Sequence, residues 1–178
     1  TAEKIDGIFR KHGGLFGGKG IYSTSIVLWA FLGQVLRDRK EAACQSAVAG
    51  IISFCLQVGR NAPTADTGDY CRARAKLSEP ALCELSTEIA NDAEQQADEA
   101  WLWKRRHAKS IDGFTFTMPD TPKNQAAFPH PRTQKKGVGL PIARCVAILS
   151  LATAIVMDVV FGPYKGKETG ESALLRQM

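Results

Sequence analysis

The stretch from Val138 to Phe161 constrains this chain most, because so many apolar residues must be buried in lipid or in a protein core. Arg144 and Asp158 interrupt it and leave only residues 145–157 uncharged, against the roughly 20 apolar residues that a spanning helix needs. Its β-branched content and its Ser150-Leu151-Ala152-Thr153 centre predict two buried strands, Pro141–Leu149 and Ile155–Phe161. A second apolar run, Ile26 to Leu36, is also too short to cross a bilayer. No membrane span is expected.

The first hundred residues follow a helical period. Ser23 or Thr24 can cap a helix running to about Leu36, apolar nearly all round and therefore expected to be buried. A second helix is predicted from about Arg39 to Val58, with Cys44, Val48, Ile51, Ile52 and Cys55 on one face. Asp66 or Thr67 starts a short helix. A longer one begins at Ser78, with Leu82, Leu85, Ile89 and Ala93 as its buried stripe and an acidic opposite face. After Ala100 the texture changes. A basic segment, Lys104 to Lys109, leads into a predicted strand from Ile111 to Met118, and a loop follows from Pro119 to Gly139. Thr169 or Ser172 can cap a final helix. The expected organisation is α/β: a helical region, 1–100, then a unit with a sheet, 101–178.

Net charge is +5, which fits a polyanionic partner such as nucleic acid. The five cysteines, at 44, 55, 71, 83 and 145, include no C-x-x-C pair. Zinc and a disulfide framework are therefore not expected. Cys44, Cys55 and Cys83 fall in apolar helical patterns and are read as buried free thiols, which suggests a cytoplasmic location. The chain begins with charged residues after Thr1, without a signal peptide, and is read as a piece of a longer protein.

Most candidate sites fail on context. Gly13 to Gly20 nearly matches a phosphate-binding loop, but Gly20 stands where Ser or Thr should meet magnesium and no strand precedes it; a connector is expected. His12, His107 and His130 are far apart and are read as solvated. Trp101 and Trp103 are expected to pack the helical part against the sheet. The informative residue is Asp112, which shares strand parity with Phe114, Phe116 and Met118. A carboxylate on an apolar face needs compensation, and a divalent cation would supply it. The competing reading is local: Asp112-Gly113 is a favoured hairpin turn.

Several stretches together resemble the insertion-sequence-four family of bacterial DDE transposases. They are Tyr70-Cys71-Arg72-Ala73-Arg74-Ala75-Lys76-Leu77, Trp103 to Lys109, Asp112-Gly113 through Met118-Pro119-Asp120-Thr121-Pro122 to Pro129, Gly137 to Arg144, and Gly162-Pro163-Tyr164-Lys165-Gly166-Lys167-Glu168-Thr169-Gly170-Glu171. The resemblance implies a helical N-terminal region followed by an incomplete ribonuclease-H-like three-stranded sheet and the start of its first helix. It implies Asp112 as the first of three acids that hold Mg2+ or Mn2+, with the other two beyond Met178. Glu168 and Glu171 match the start of the first helix and are not substitutes. Phe114 departs from the usual Thr after Asp-Gly, and Ala154 stands where a turn glycine is common.

Two such metals, about 3.5–4 Å apart, activate the attacking oxygen and steady the leaving one during phosphodiester cleavage and strand transfer. One carboxylate fixes no such pair, so a fragment with Asp112 alone is expected to be inactive. The partner implied is DNA at transposon ends, met by a homodimer in a synaptic complex. Lys104, Arg105, Arg106, Lys109, Arg132, Lys135 and Lys136 are placed to meet phosphates, and Arg72 and Arg74 are candidates for recognising the ends. The alternative is a truncated DNA-binding module that regulates transposition without catalysis.

Overall fold

A computed structural model describes residues 1–18, 20–130 and 139–178. The chain divides into two compact units, Thr1–Leu85 and Ser86–Met178.

The first unit is helical. Thr1 caps α1 (Ala2–Lys11) by accepting the N–H of Lys4 at 3.3 Å. Gly13, at φ 65°, stops the helix: Gly13 N–H donates to Arg10 and Gly14 N–H to Phe9, the two bonds of a Schellman cap. The first of the loop's glycines thus serve backbone geometry. α2 (Thr24–Val35) is followed by a 3₁₀ turn, Arg39–Ala42, then α3 (Cys44–Gln57), α4 (Gly68–Arg74) and α5 (Glu79–Gln95). The single helix expected from Arg39 is therefore broken, with Ala43 extended between its two parts.

α2 serves two clusters at once. Val27 packs with Val48, Ile51, Cys55, Tyr70 and Ala73, while Leu28 packs with Ile5, Ile8, Phe9, Ala81 and Leu85. Two buried faces explain why α2 is apolar most of the way round. Its remaining face is open, contrary to the expected full burial: Trp29 is 64% and Leu36 84% exposed. The buried stripe of α5 is also turned from the expected one. Ala81, Leu85 and Ala90 are buried, whereas Ile89 and Cys83 are exposed. A polar network crosses the first cluster. Buried Tyr70 donates to Gln34 Oε1 at 2.7 Å, and Gln34 Nε2 donates to the carbonyl of Ala42 at 2.8 Å. Each buried polar group thereby gains a partner.

The second unit takes the rest of α5, a 3₁₀ turn at Glu99–Trp101, β1 (Lys109–Thr117), α6 (Pro122–Ala127), β2 (Ile142–Ser150), β3 (Val156–Pro163) and α7 (Glu171–Leu175). The fold class is mixed α/β. The strands form one antiparallel sheet in the order β1-β2-β3. The described part of the apolar run, from Ile142, thus forms two paired strands, and no helix among the described residues is long and apolar enough to cross a membrane. Central β2 carries the buried residues Ala143, Cys145, Val146 and Ala147. α6 lies where a loop is expected. Thr121 caps it by accepting the N–H of Asn124 at 3.2 Å, and Pro122 opens its first turn. α7 packs on one sheet face, with Leu174 against Gly162. Gly170, not Thr169 or Ser172, precedes it as the cap residue.

Candidate functional site

Asp112 sits in the middle of β1, opposite Ala147, and Gly113 sits opposite Val146. The hairpin-turn reading is therefore wrong for this position. The strand formers Ile111, Phe114 and Phe116 flank the dipeptide, and pairing along the whole of β2 outweighs its local turn preference. Gly113 has a packing reason instead: a Cβ there would overlap the Glu171 carboxyl group. Alternation places Asp112 on the opposite face, with Phe114, Phe116 and Phe161. Phe116 and Phe161 meet edge-on with centroids 5.9 Å apart, and Phe114 stacks at a tilt on Phe116 at 6.3 Å.

This face is open. Phe114 is 52% and Phe161 53% exposed, and Asp112 is exposed as well. Water can therefore solvate the carboxylate, and burial does not demand a cation, contrary to the sequence argument. Asp112 Oδ1 accepts the N–H of Gly113 at 2.9 Å. Among the described residues, no three His, Cys, Asp or Glu side chains are grouped to hold a metal ion. These residues do not make up a two-metal centre, and Asp112 offers a single ligand.

The basic residues separate by environment. Trp103 and Arg106 exchange backbone hydrogen bonds of 3.1 and 3.0 Å, closing a two-residue turn with Lys104 at φ 50° and Arg105 at φ 62°. Positive φ at both central positions is the pattern of a type I′ turn, where Asn-Gly is usual. Two cationic residues thus occupy a conformation that costs an L-residue roughly 1–2 kcal/mol. Lys104 Nζ lies 5.0 Å from the Trp103 ring centroid, and Arg105 Nε meets Glu99 at 2.7 Å in a largely exposed pair. Arg106 and Lys109 are exposed. Trp101 and Trp103 are 62% and 61% exposed, so they do not act as the expected packing residues. An exposed Trp beside cations is a surface on which bases can stack. No periodicity signals it.

Arg72 is exposed and paired with Asp69 at 2.6 Å. Arg74 points inward: it donates to Gln34 Oε1 at 3.1 Å and lies over the Phe31 and Tyr70 rings. Its guanidinium is thus engaged in the polar network, while Arg72 stands at the surface. Arg132, Lys135 and Lys136 lie outside the described residues. Arg144, to which the sequence reading gave no role, donates to the carbonyl of Thr169 at 2.9 Å and stacks on Tyr164, tying β2 to the segment before α7.

The histidines are not simply solvated, as each meets a carboxylate. His12 is 2.7 Å from Glu84, His107 3.1 Å from Glu94, and His130 3.3 Å from Asp120. The hydroxyl of buried Ser150 donates to Glu94. That bond chiefly, and then the charges of His107 and Lys109, hold the Glu94 carboxyl below the usual glutamate range against the opposing effect of burial. Ser150 is thus engaged as a structural donor to a carboxylate. Comparison with family models, with curated proteins and with solved structures finds no match to this chain.

Proposed function

We propose that the chain is the front part of a DDE transposase: a helical region followed by the first section of a ribonuclease-H-like catalytic domain. Asp112 supplies the first metal-binding acid for Mg2+ or Mn2+, and the remaining acids come from beyond Met178. The observation that carries this reading is the position of Asp112. It stands mid-strand on an exposed face of a β1-β2-β3 meander that runs on into a helix, with the basic turn shortly before it. When bound, the metals supply activation of the attacking oxygen in phosphodiester cleavage and strand transfer. What this chain's own residues supply is one carboxylate and a cationic approach to it. It does not cut DNA alone.

Lys104, Arg105, Arg106 and Lys109 meet phosphates without reading sequence. The exposed turn also favours the alternative of a non-catalytic module that occupies DNA and regulates transposition. Gel shifts on duplex DNA across a salt series test both readings. Binding that weakens steeply with salt is expected, and no binding at low salt removes both. Plasmid incubated with the chain and Mg2+ or Mn2+ is expected to stay intact. Nicking that Asp112→Asn abolishes would overturn the claim that one acid is not enough.

A further inference from the structure

Cys44, at the start of α3, and Cys71, in α4, are 27 positions apart, yet their sulfurs lie 3.6 Å from each other. Both are half-buried and free. The Cys71 thiol donates to Cys44 Sγ. Cys44 Sγ also faces Gln34 Nε2 at 3.7 Å and the Arg74 guanidinium at 3.8 Å. The other thiols are placed differently: Cys55 and Cys145 are fully buried, and Cys83 stands exposed on α5. One pair, therefore, is held in sulfur–sulfur contact by two helices that the same polar network already ties together.

We propose that Cys44 and Cys71 form an oxidisable dithiol whose disulfide staples α4 to α3. The oxidant is of the peroxide class. Cys44 sulfur attacks one peroxide oxygen, the O–O bond breaks, and one water leaves with Cys44 as a sulfenic acid. Cys71 sulfur then attacks Cys44 Sγ, the S–O bond breaks, and a second water carries away the oxygen and the Cys71 proton. Two thiols lose two electrons and one peroxide is reduced to two waters. Cys71 suits the second role: its hydrogen bond to Cys44, and then burial, push its thiol above the ordinary cysteine range, so it keeps its proton until Cys44 is oxidised.

The test uses the whole chain treated with hydrogen peroxide, then alkylated and digested without reduction for mass spectrometry. A Cys44–Cys71 crosslink in monomeric protein is expected, reversed by dithiothreitol. It should form at least about tenfold faster in native protein than in protein unfolded in urea, because the fold pre-positions the pair. Closing a loop of this size should raise the Tm of the Thr1–Leu85 unit by roughly 10–25 °C over the reduced chain. Cys44→Ser and Cys71→Ser should each abolish the crosslink, while Cys83→Ser should leave it intact. If Cys44 and Cys71 are both recovered alkylated once Cys83 has been consumed, the proposal fails. It also fails if the crosslink forms no faster in native than in unfolded protein, or if it lowers Tm.

Discussion

Replacing Ala154 by Gly should stabilise the protein. Residues 151–154 join β2 to β3, and the Ser150 N–H donates to the Ile155 carbonyl at 2.9 Å across the turn. The Ala154 N–H returns to the Ser150 carbonyl at 3.0 Å, which holds Ala154 at φ 57°. A left-handed L-residue costs about 1–2 kcal/mol, and Gly gives back roughly 0.5–1 kcal/mol through the greater freedom of its unfolded chain. Ala154 is exposed, so its methyl group contributes little packing. The net gain should be about 0.5–1 kcal/mol. For a unit the size of Ser86–Met178, that raises Tm by roughly 2–8 °C. Circular dichroism on heating and urea titration with an unchanged slope would measure it. Ala152, in the same turn but without positive φ, is the control, and Ala152→Gly should destabilise. A lowered midpoint for Ala154→Gly would refute the reasoning, because it would mean that the left-handed turn stores no strain.

Other expectations follow from single contacts. Lys104→Ala with Arg105→Ala should flatten the dependence of log K on log salt by about 2 in DNA gel shifts, if both meet phosphates; an unchanged slope would count against them. The Glu94 carboxyl is lowered in the fold, so its contribution to stability is present above its ordinary value near 4.5 and is lost as pH falls through the depressed folded value. Urea midpoints measured from pH 7 down to pH 3 should therefore fall less steeply for Glu94→Gln than for the parent chain. Tyr70→Phe removes one of the two donors to Gln34 Oε1, which keeps Arg74, and should cost about 0.5–1.5 kcal/mol in urea unfolding.

The elements of the fold were legible where one strong period ran through them. Both strands of the apolar run could be read from its β-branched residues and from the Ser150-Leu151-Ala152-Thr153 centre that divides them. Asp112-Gly113 was ambiguous because the dipeptide alone suits a turn, and only strand pairing and the Glu171 carboxyl above Gly113 decide the matter. α1 went unread although Ile5, Ile8 and Phe9 lie at helical spacing, since charged residues surround them. α6 carried a readable start at Thr121-Pro122, masked by the loop-like composition around it. The inward turn of Arg74 was not legible: its partners Phe31, Gln34 and Cys44 are remote in sequence. Nor was the exposure of Trp101 and Trp103, because a tryptophan in a sequence does not say which side of it meets water.

Among the described residues β2 is the only strand paired with β1, so the far border of β1 presents backbone amide and carbonyl groups, of which the Gly113 N–H is taken by Asp112 Oδ1. An incoming strand would find its hydrogen-bonding template already laid out, about 4.8 Å away. Its side chain at the register of Asp112 would then stand beside that carboxylate, on the same surface as Phe114 and Phe161. Any strand that pairs with that border therefore also sets which side chain neighbours Asp112.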